Sequence, residues 1–223
     1  MTRVLVTGAR GGIGSAIVRT FTEANFEVIA IDREDLDLTD SVAVREYAQS
    51  LEPIDVLVNA AGVFHGGPAA TVDEDAWDAL FNVNAKAVYT LSRIIGEKMA
   101  ENGGGAIVTV ASNSAVIPRA QMVAYGASKA AASILTRSLG LELGPRGVRC
   151  NVVCPGTTRT PMIAGLGSEE GLIRGVPENF KTGIPLGKIG TPEDVAATVF
   201  FLAGPGAGHI NCAEIVVDGG ASA

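Results

Sequence analysis

Residues 3–14 read RVLVTGARGGIG, a short β-branched and apolar run that gives way to glycines. The pattern predicts a buried strand over Arg3–Thr7, a tight turn, and a helix from Ile13 to about Ala24. Glycines at such a junction let the backbone pass close to a pyrophosphate, whose charge then meets the helix N-terminus. Alone, the pattern fits an ordinary tight turn equally well. Its setting favours a dinucleotide: this is the first strand and first helix, and Asp32 ends the next strand, Glu27–Asp32, eighteen residues after Gly14. A carboxylate there suits a ribose 2′-hydroxyl and repels a 2′-phosphate. Gly8, Arg10, Gly11, Gly12, Ile13 and Gly14 are therefore candidate cofactor residues, with Asp32, Arg33, Asp37 and Leu38 at the second strand's end. Arg10 and Arg33 make a phosphate clamp conceivable, but Glu34, Asp35 and Asp37 leave that corner acidic, so NAD is expected over NADP.

Outward from this stretch, strands and helices alternate. Further strands are expected over Asp55–Ala60, Ala106–Ser112, Gly147–Cys154 and Glu214–Asp218. Helices are expected over Ser41–Leu51, within Thr71–Glu101, over Met122–Leu143 and over Pro192–Ala203, the last with proline at its first turn. Apolar strands separated by helices indicate one α/β domain, a doubly wound parallel sheet with helices on both faces. Ile31–Leu38 leaves no room for a full helix before a short third strand. Gly156–Thr191 is a long connection of weak periodicity, the kind that usually carries function, and it is expected to bind substrate.

Composition narrows the classes. The 223 residues are 47% hydrophobic and include 28 glycines, so a packed core with many tight turns is expected. Seventeen basic residues against 24 acidic give a net charge of −7 with no basic stripe, which makes nucleic acid and anionic membrane poor partners. The apolar stretch Val195–Ala203 is about half of the ~20 residues a membrane span needs. The first residues lack the apolar region of a signal peptide. Three cysteines make no disulfide framework; Cys150 and Cys154, on one strand, would lie roughly 13 Å apart. No His or Cys pair has ligand spacing, so no metal is expected. A cytoplasmic protein is the expectation.

Tyr125 and Lys129 stand four apart, on one face of the Met122–Leu143 helix. A phenol near pKa 10 is a poor base at neutral pH, and a fixed cation nearby favours its phenolate. Ser112 ends the preceding strand, and Asn84 lies in the helix before it. By themselves the pair reads equally as a helix surface pair, and Ser112 and Asn84 as a strand-end cap and a polar helix position.

Together, the TGxxxGxG loop, Asn59-Ala60-Ala61-Gly62, Asn84, Ser112, Tyr125-x-x-x-Lys129 and Pro155-Gly156 resemble the short-chain dehydrogenase/reductase family, in family order and over the whole chain. The resemblance implies a Rossmann fold with seven parallel strands. It makes Tyr125 the acid/base, gives Lys129 the ribose and the lowering of the tyrosine pKa, sets Ser112 on the substrate oxygen, and has Asn84 hold a proton-relay water. It adds Asn59, Ala60, Ala61, Gly62, Tyr125, Lys129, Pro155, Gly156, Thr158 and Thr160 to the cofactor-binding set. It also implies a homotetramer, to which the small residues Ala79, Ala85, Ala87, Ala130, Ala131 and Ala132 would contribute close helix packing.

Several stretches of the second half, among them Gly104–Ser112, Pro118-Arg119, Ile173–Gly175, Phe180-Lys181, Gly183–Ile189 and Ile215–Gly220, are similar to the branch of the family that oxidises 2,3-dihydro-2,3-dihydroxybenzoate in catechol-siderophore pathways. That branch implies a small carboxylated cyclic diol as substrate. Arg119, between Ser112 and Tyr125, is the favoured partner of the carboxylate because a guanidinium can bind it through two parallel hydrogen bonds. Arg159, Arg174 and Lys181 compete with it. Val63-Phe64-His65-Gly66-Gly67 departs from the branch pattern, and His65 is either a solvated loop residue or a pocket residue. Trp77 and Tyr89 are read as core or subunit contacts. Alternatives are dehydrogenation of dihydro-3-hydroxyanthranilate, of another alcohol or of a 3-oxoacyl substrate, and, more remotely, a dinucleotide-sensing module without chemistry.

Overall fold

The computed structural model describes residues 2–164, 167–177 and 181–223. Phe180 of the branch pattern lies outside them. Strand β1 (Arg3–Thr7) pairs in parallel with β2 (Glu27–Ile31) on one side and β3 (Val56–Asn59) on the other. Beyond β3 follow β4 (Gly105–Val110), β5 (Val148–Pro155) and β6 (Glu214–Val217), giving one parallel sheet in the order β2-β1-β3-β4-β5-β6. The register puts Thr7 opposite Ile31 and Asn59, and Asn59 opposite Thr109, so the carboxyl ends of the central strands finish level. The order reverses at β1 and β3, and an open α/β sheet binds ligands in the crevice outside that switch point.

Successive strand residues face opposite sides, and each side is covered. Val4, Val6, Val58, Val108 and Val153 pack against Ile17 and Phe21 of α1 (Gly12–Glu23) and Val199 and Leu202 of α7 (Pro192–Ala203). Leu5, Leu57, Ile107 and Cys150 pack against α2 (Ser41–Ser50), α4 (Val88–Glu101) and α5 (Val123–Leu143), through Val44, Leu91, Ile95 and Leu139. Thr191 caps α7 in a reciprocal box with Asp194, followed by Pro192 at the first helical position.

Two expectations need correction. The sheet has six strands among the described residues, not seven. The segment Asp32–Asp40 satisfies its own backbone instead of pairing with β2: the Asp35 and Leu36 N–H groups donate to the Asp32 carbonyl, Asp32 N–H to the Asp35 carboxylate (2.8 Å), and Thr39 N–H to Asp37 (2.9 Å). Local aspartate bonds of this kind compete with a ladder. The long helix within Thr71–Glu101 starts later, as α3 (Glu74–Phe81), capped by Asp73. It is interrupted by a π-helical turn, Asn82–Ala87, before α4 resumes. All three cysteines are free. No helix is long and apolar enough to cross a membrane, and no metal-ligand cluster occurs, among the described residues. Between β5 and α7 lies a short helix, α6 (Glu169–Arg174).

Candidate active site

At the switch point the turn after β1 is closed so tightly that side chains would not fit. Gly8 has φ +67°, and a Cβ there would come 2.6 Å from the Ala61 Cα. A Cβ on Gly14 would run into the Gly8 carbonyl oxygen, and one on Gly12 would meet Thr160 Cγ2 at 2.6 Å. The Thr7 hydroxyl accepts the N–H groups of Ala60 and Ala61, tying β1 to the residues after β3. The resulting cavity, about 610 Å³, is lined by Gly8, Arg10–Gly14, Asp32, Arg33, Asp37, Leu38, Ala60–Gly62 and Thr160, together with Thr7, Glu34 and Thr39. Its size and the absence of side chains from its glycine wall suit a dinucleotide.

Asp32 is held at the rim: one carboxylate oxygen accepts the Arg10 N–H (2.7 Å) and the other the Arg33 N–H (2.8 Å). Arg10 points its guanidinium at Glu34 (2.8 Å) and Asp35 (2.9 Å). The hydrogen bond from Arg10 holds the Asp35 carboxyl below its usual range. The arginine best placed in the loop to clamp a 2′-phosphate is thereby paired with carboxylates.

A second cavity of about 550 Å³ adjoins the first and shares Ile13, Thr160 and Met162 with it. Ser112, Tyr125, Arg119, Pro155, Gly156 and Thr158 all line it. Ser112 Oγ accepts from the Ser114 N–H (3.2 Å) and hydroxyl (2.9 Å), which leaves its own proton free to donate. Burial pushes the Tyr125 phenol above its ordinary value, and a hydrogen bond with Ser112 acts in the opposite direction. Lys129 is buried, donates to the Val110 carbonyl (3.0 Å), and is pushed down by burial to about 8. In the protein alone desolvation is the largest influence on both groups.

Asn84 sits in the π-helical turn, fully buried. Its Nδ2 donates to the Val63 carbonyl (3.0 Å) and Ser128 Oγ (3.0 Å), while Oδ1 accepts the Val63 N–H (2.9 Å). It lines neither cavity. Nor does Asn59, whose amide faces the interior and donates to Ser92 (2.9 Å) and Thr109 (3.3 Å) with Oδ1 unpartnered. Both hold the interior together rather than form the wall.

The second cavity's only charged lining side chains among the described residues are Arg119 and Lys181; no described carboxylate lines it. Burial pulls both below their ordinary values, and Arg119 lowers Lys181 further. Arg159 and Arg174 are exposed and paired with Glu169 and Glu170, so these two competitors point elsewhere. His65 is exposed and lines neither cavity. Its neighbour Phe64, which sequence reasoning missed, lines the second cavity and meets Tyr125 edge to face. The one available signal was its place just after Gly62. Trp77 stacks on Phe81 and, like Tyr89, is about two-fifths exposed, which excludes the core for both.

Residues 37–222 match the family described as enoyl-(acyl carrier protein) reductase. The chain is 44% identical to the 2,3-dihydro-2,3-dihydroxybenzoate dehydrogenase of Escherichia coli (strain K12), covering 98% of this chain and 96% of that one. It is 39% identical to the enzyme of the same name from Bacillus subtilis (strain 168), over 97% and 94%. A 3-ketoacyl-(acyl-carrier-protein) reductase from Brucella melitensis, solved with NADH, superimposes with a TM-score of 0.87 at 26% identity, over 100% of this chain and 98% of that one.

Proposed function

The chain belongs to the short-chain dehydrogenase/reductase family, and from that premise we propose that it oxidises 2,3-dihydro-2,3-dihydroxybenzoate with NAD to 2,3-dihydroxybenzoate, a catechol-siderophore building block. The observation that carries this reading is the second cavity: it unites a buried phenol and a serine with two cations and no described carboxylate. Such a lining suits a small anion bearing a hydroxyl. Phe64 adds an aromatic side chain to its lining.

NAD, when bound in the glycine cavity, supplies the hydride acceptor. Asp32 takes the ribose hydroxyls, and the pairing of Arg10 with Glu34 and Asp35 disfavours a 2′-phosphate. Tyr125 Oη, as phenolate, removes the proton of one ring hydroxyl, whose carbon gives up its hydride. Ser112 donates a hydrogen bond to that oxygen. Lys129 holds the ribose and keeps positive charge near the phenolate. Asn84, with every polar atom engaged, acts by positioning Val63 and Ser128 rather than by holding a water. Arg119 binds the carboxylate. The cyclohexadienone so formed tautomerises to the catechol, and the gain of aromaticity favours oxidation.

Three free cysteines suit a reducing compartment, so the reaction is assigned to the cytoplasm. The assembly is a homotetramer of two-fold symmetry. Its seams are not made by Ala85, Ala87 and Ala132, which pack inside the subunit. Exposed Tyr89, Ile134, Leu141 and Phe201 are apolar surface for subunit contacts. A monomeric mass by light scattering at micromolar concentration would refute the tetramer.

Turnover of the dihydrodiol with NAD, followed by NADH formation and catechol fluorescence, tests the reaction against dihydro-3-hydroxyanthranilate, acyclic polyols and 3-oxoacyl thioesters. A higher kcat/KM for any of these overturns the substrate assignment.

A further inference from the structure

We propose that Lys181 is a second specificity-determining residue, which together with Arg119 grips the substrate's carboxylate. The inference rests on the reading of this cavity as the substrate site and extends it to a residue outside the segment that joins Ser112 to Tyr125.

The placement of Lys181 is built by backbone. Val176 and Lys181 exchange two main-chain hydrogen bonds (2.9 and 3.1 Å) in an antiparallel bridge, and Ile184 N–H donates to the Ile173 carbonyl (2.8 Å). Two glycines permit the close approach. A Cβ on Gly175, at φ +83°, would lie 2.6 Å from the Lys181 carbonyl oxygen, and one on Gly183 2.7 Å from the Arg174 carbonyl oxygen. Side chains at either position would push the two runs apart and carry Lys181 away.

A single carbonyl then joins this ribbon to Arg119. Ala221 O, near the C-terminus, accepts Arg119 Nη2 (2.9 Å) and Thr182 Oγ1 (2.9 Å). Arg119 and the neighbour of Lys181 are thus fixed side by side on one acceptor. The ammonium and the guanidinium belong to the same cavity lining and feel each other's charge. Asp218, behind the wall, offsets part of the Arg119 charge; with no described carboxylate in the wall itself, the two half-buried cations still repel one another. An anion placed between them converts that repulsion into two charge-assisted hydrogen-bonding contacts. A guanidinium alone would orient a carboxylate; the second cation makes the site discriminate against neutral cyclic alcohols.

The test uses benzoate and benzyl alcohol as probes, measured by calorimetry on the NADH-loaded chain for wild type, Lys181→Ala, Lys181→Arg and Arg119→Ala. Lys181→Ala should weaken benzoate by roughly 10- to 100-fold, the scale of a charge-assisted hydrogen bond, and leave benzyl alcohol unchanged. Lys181→Arg should restore most of the benzoate affinity, and NADH affinity should be the same in all four proteins, which reports folding. Wild-type benzoate affinity in Lys181→Ala, or equal loss on both probes, overturns the proposal. If Lys181→Ala loses benzoate but the wild type does not turn over the dihydrodiol, the anion site stands and the substrate assignment falls.

Discussion

The Phe64 ring stands edge-on to the Tyr125 phenol, with centroids 5.0 Å apart and planes at 77°. A Cβ on Gly66 would come 2.7 Å from Phe64 Cζ, so the ring occupies room that only glycine leaves. Such an aromatic pair contributes about 0.5–1.5 kcal/mol beyond burial. Because Phe64 also lines the substrate cavity, Phe64→Ala should remove apolar contact with the cyclic diol and slacken the seating of Tyr125, lowering kcat/KM by roughly 2- to 10-fold, and should narrow the preference for cyclic over acyclic alcohols. Gly66→Ala must move the ring and should act in the same direction. Unchanged selectivity in both variants would remove Phe64 from the substrate wall.

Tyr125→Phe should fold and bind NADH yet lose roughly 10²-fold or more in kcat, the usual scale of general acid–base catalysis. Because burial raises this phenol, its tyrosinate should appear, in an ultraviolet difference titration of the cofactor-free chain, above the ordinary value of 10. The titration should move down when NAD is added, since the nicotinamide brings a positive charge. Near-wild-type kcat in Tyr125→Phe would exclude it as the base.

Lys129 carries a stability penalty that pH can reveal. Burial lowers its ammonium from the ordinary lysine value of 10.5 to about 8 in the folded chain. Between these values the unfolded chain binds the proton and the folded chain does not, so stability rises with pH across that window. Below about pH 8 both states are protonated and the full cost of the buried charge applies. Lys129→Met should then stabilise the cofactor-free protein by roughly 1–3 kcal/mol at about pH 7, after the lost bond to the Val110 carbonyl is counted. The gain should vanish near pH 10.5, where the unfolded chain also releases the proton. The same substitution should weaken NAD binding and abolish turnover. Urea unfolding at the two pH values decides it; a destabilised variant at neutral pH would show that the Val110 bond outweighs desolvation.

Asp32→Ala should narrow the preference for NAD over NADP by roughly tenfold or more, because it removes a carboxylate from where a 2′-phosphate would sit. It also frees the Arg10 N–H, which Asp32 accepts at 2.7 Å. Initial rates with each cofactor measure the ratio. A wild type that uses NADP more efficiently would mean that Arg33 overrides the acidic corner.

What could be read in the chain were features set by spacing. The glycine turn, the four-residue separation of Tyr125 and Lys129, and the two-sided apolar strands all follow from local geometry. Features set by distant partners could not. The strand expected after Ile31 is lost to aspartates that bond their own neighbours. The break in the helix at Asn82–Ala87 depends on Asn84 reaching Val63 and Ser128, twenty-one and forty-four residues away. The convergence of Arg119 and Lys181 depends on the Ala221 carbonyl, 102 residues from Arg119. Burial, not the neighbouring lysine, dominates the protonation of Tyr125, and no spacing reports burial at a helix start.

The Asn84 bonds yield a prediction of their own. Asn84 lies in a π-helical turn, and such turns frequently mark functional sites; here the amide takes both polar backbone groups of Val63 and the Ser128 hydroxyl. Val63 follows Gly62 of the cofactor cavity and precedes Phe64 of the substrate cavity, while Ser128 precedes Lys129. Asn84→Ala strips both backbone groups of part-buried Val63 of their partner, while Ser128 keeps its bond to the Tyr125 carbonyl, and should cost roughly 1–3 kcal/mol in urea unfolding. A purely structural defect would leave kcat of the surviving folded enzyme intact. If Asn84 positions the loop and helix for catalysis, kcat should fall at temperatures where the variant is fully folded, with NADH affinity weakened through Gly62. Asn84→Asp, an isostere that can still accept the Val63 N–H but cannot donate while ionised, should keep part of the stability and less of the activity. Wild-type kcat in folded Asn84→Ala would reduce the residue to a structural brace.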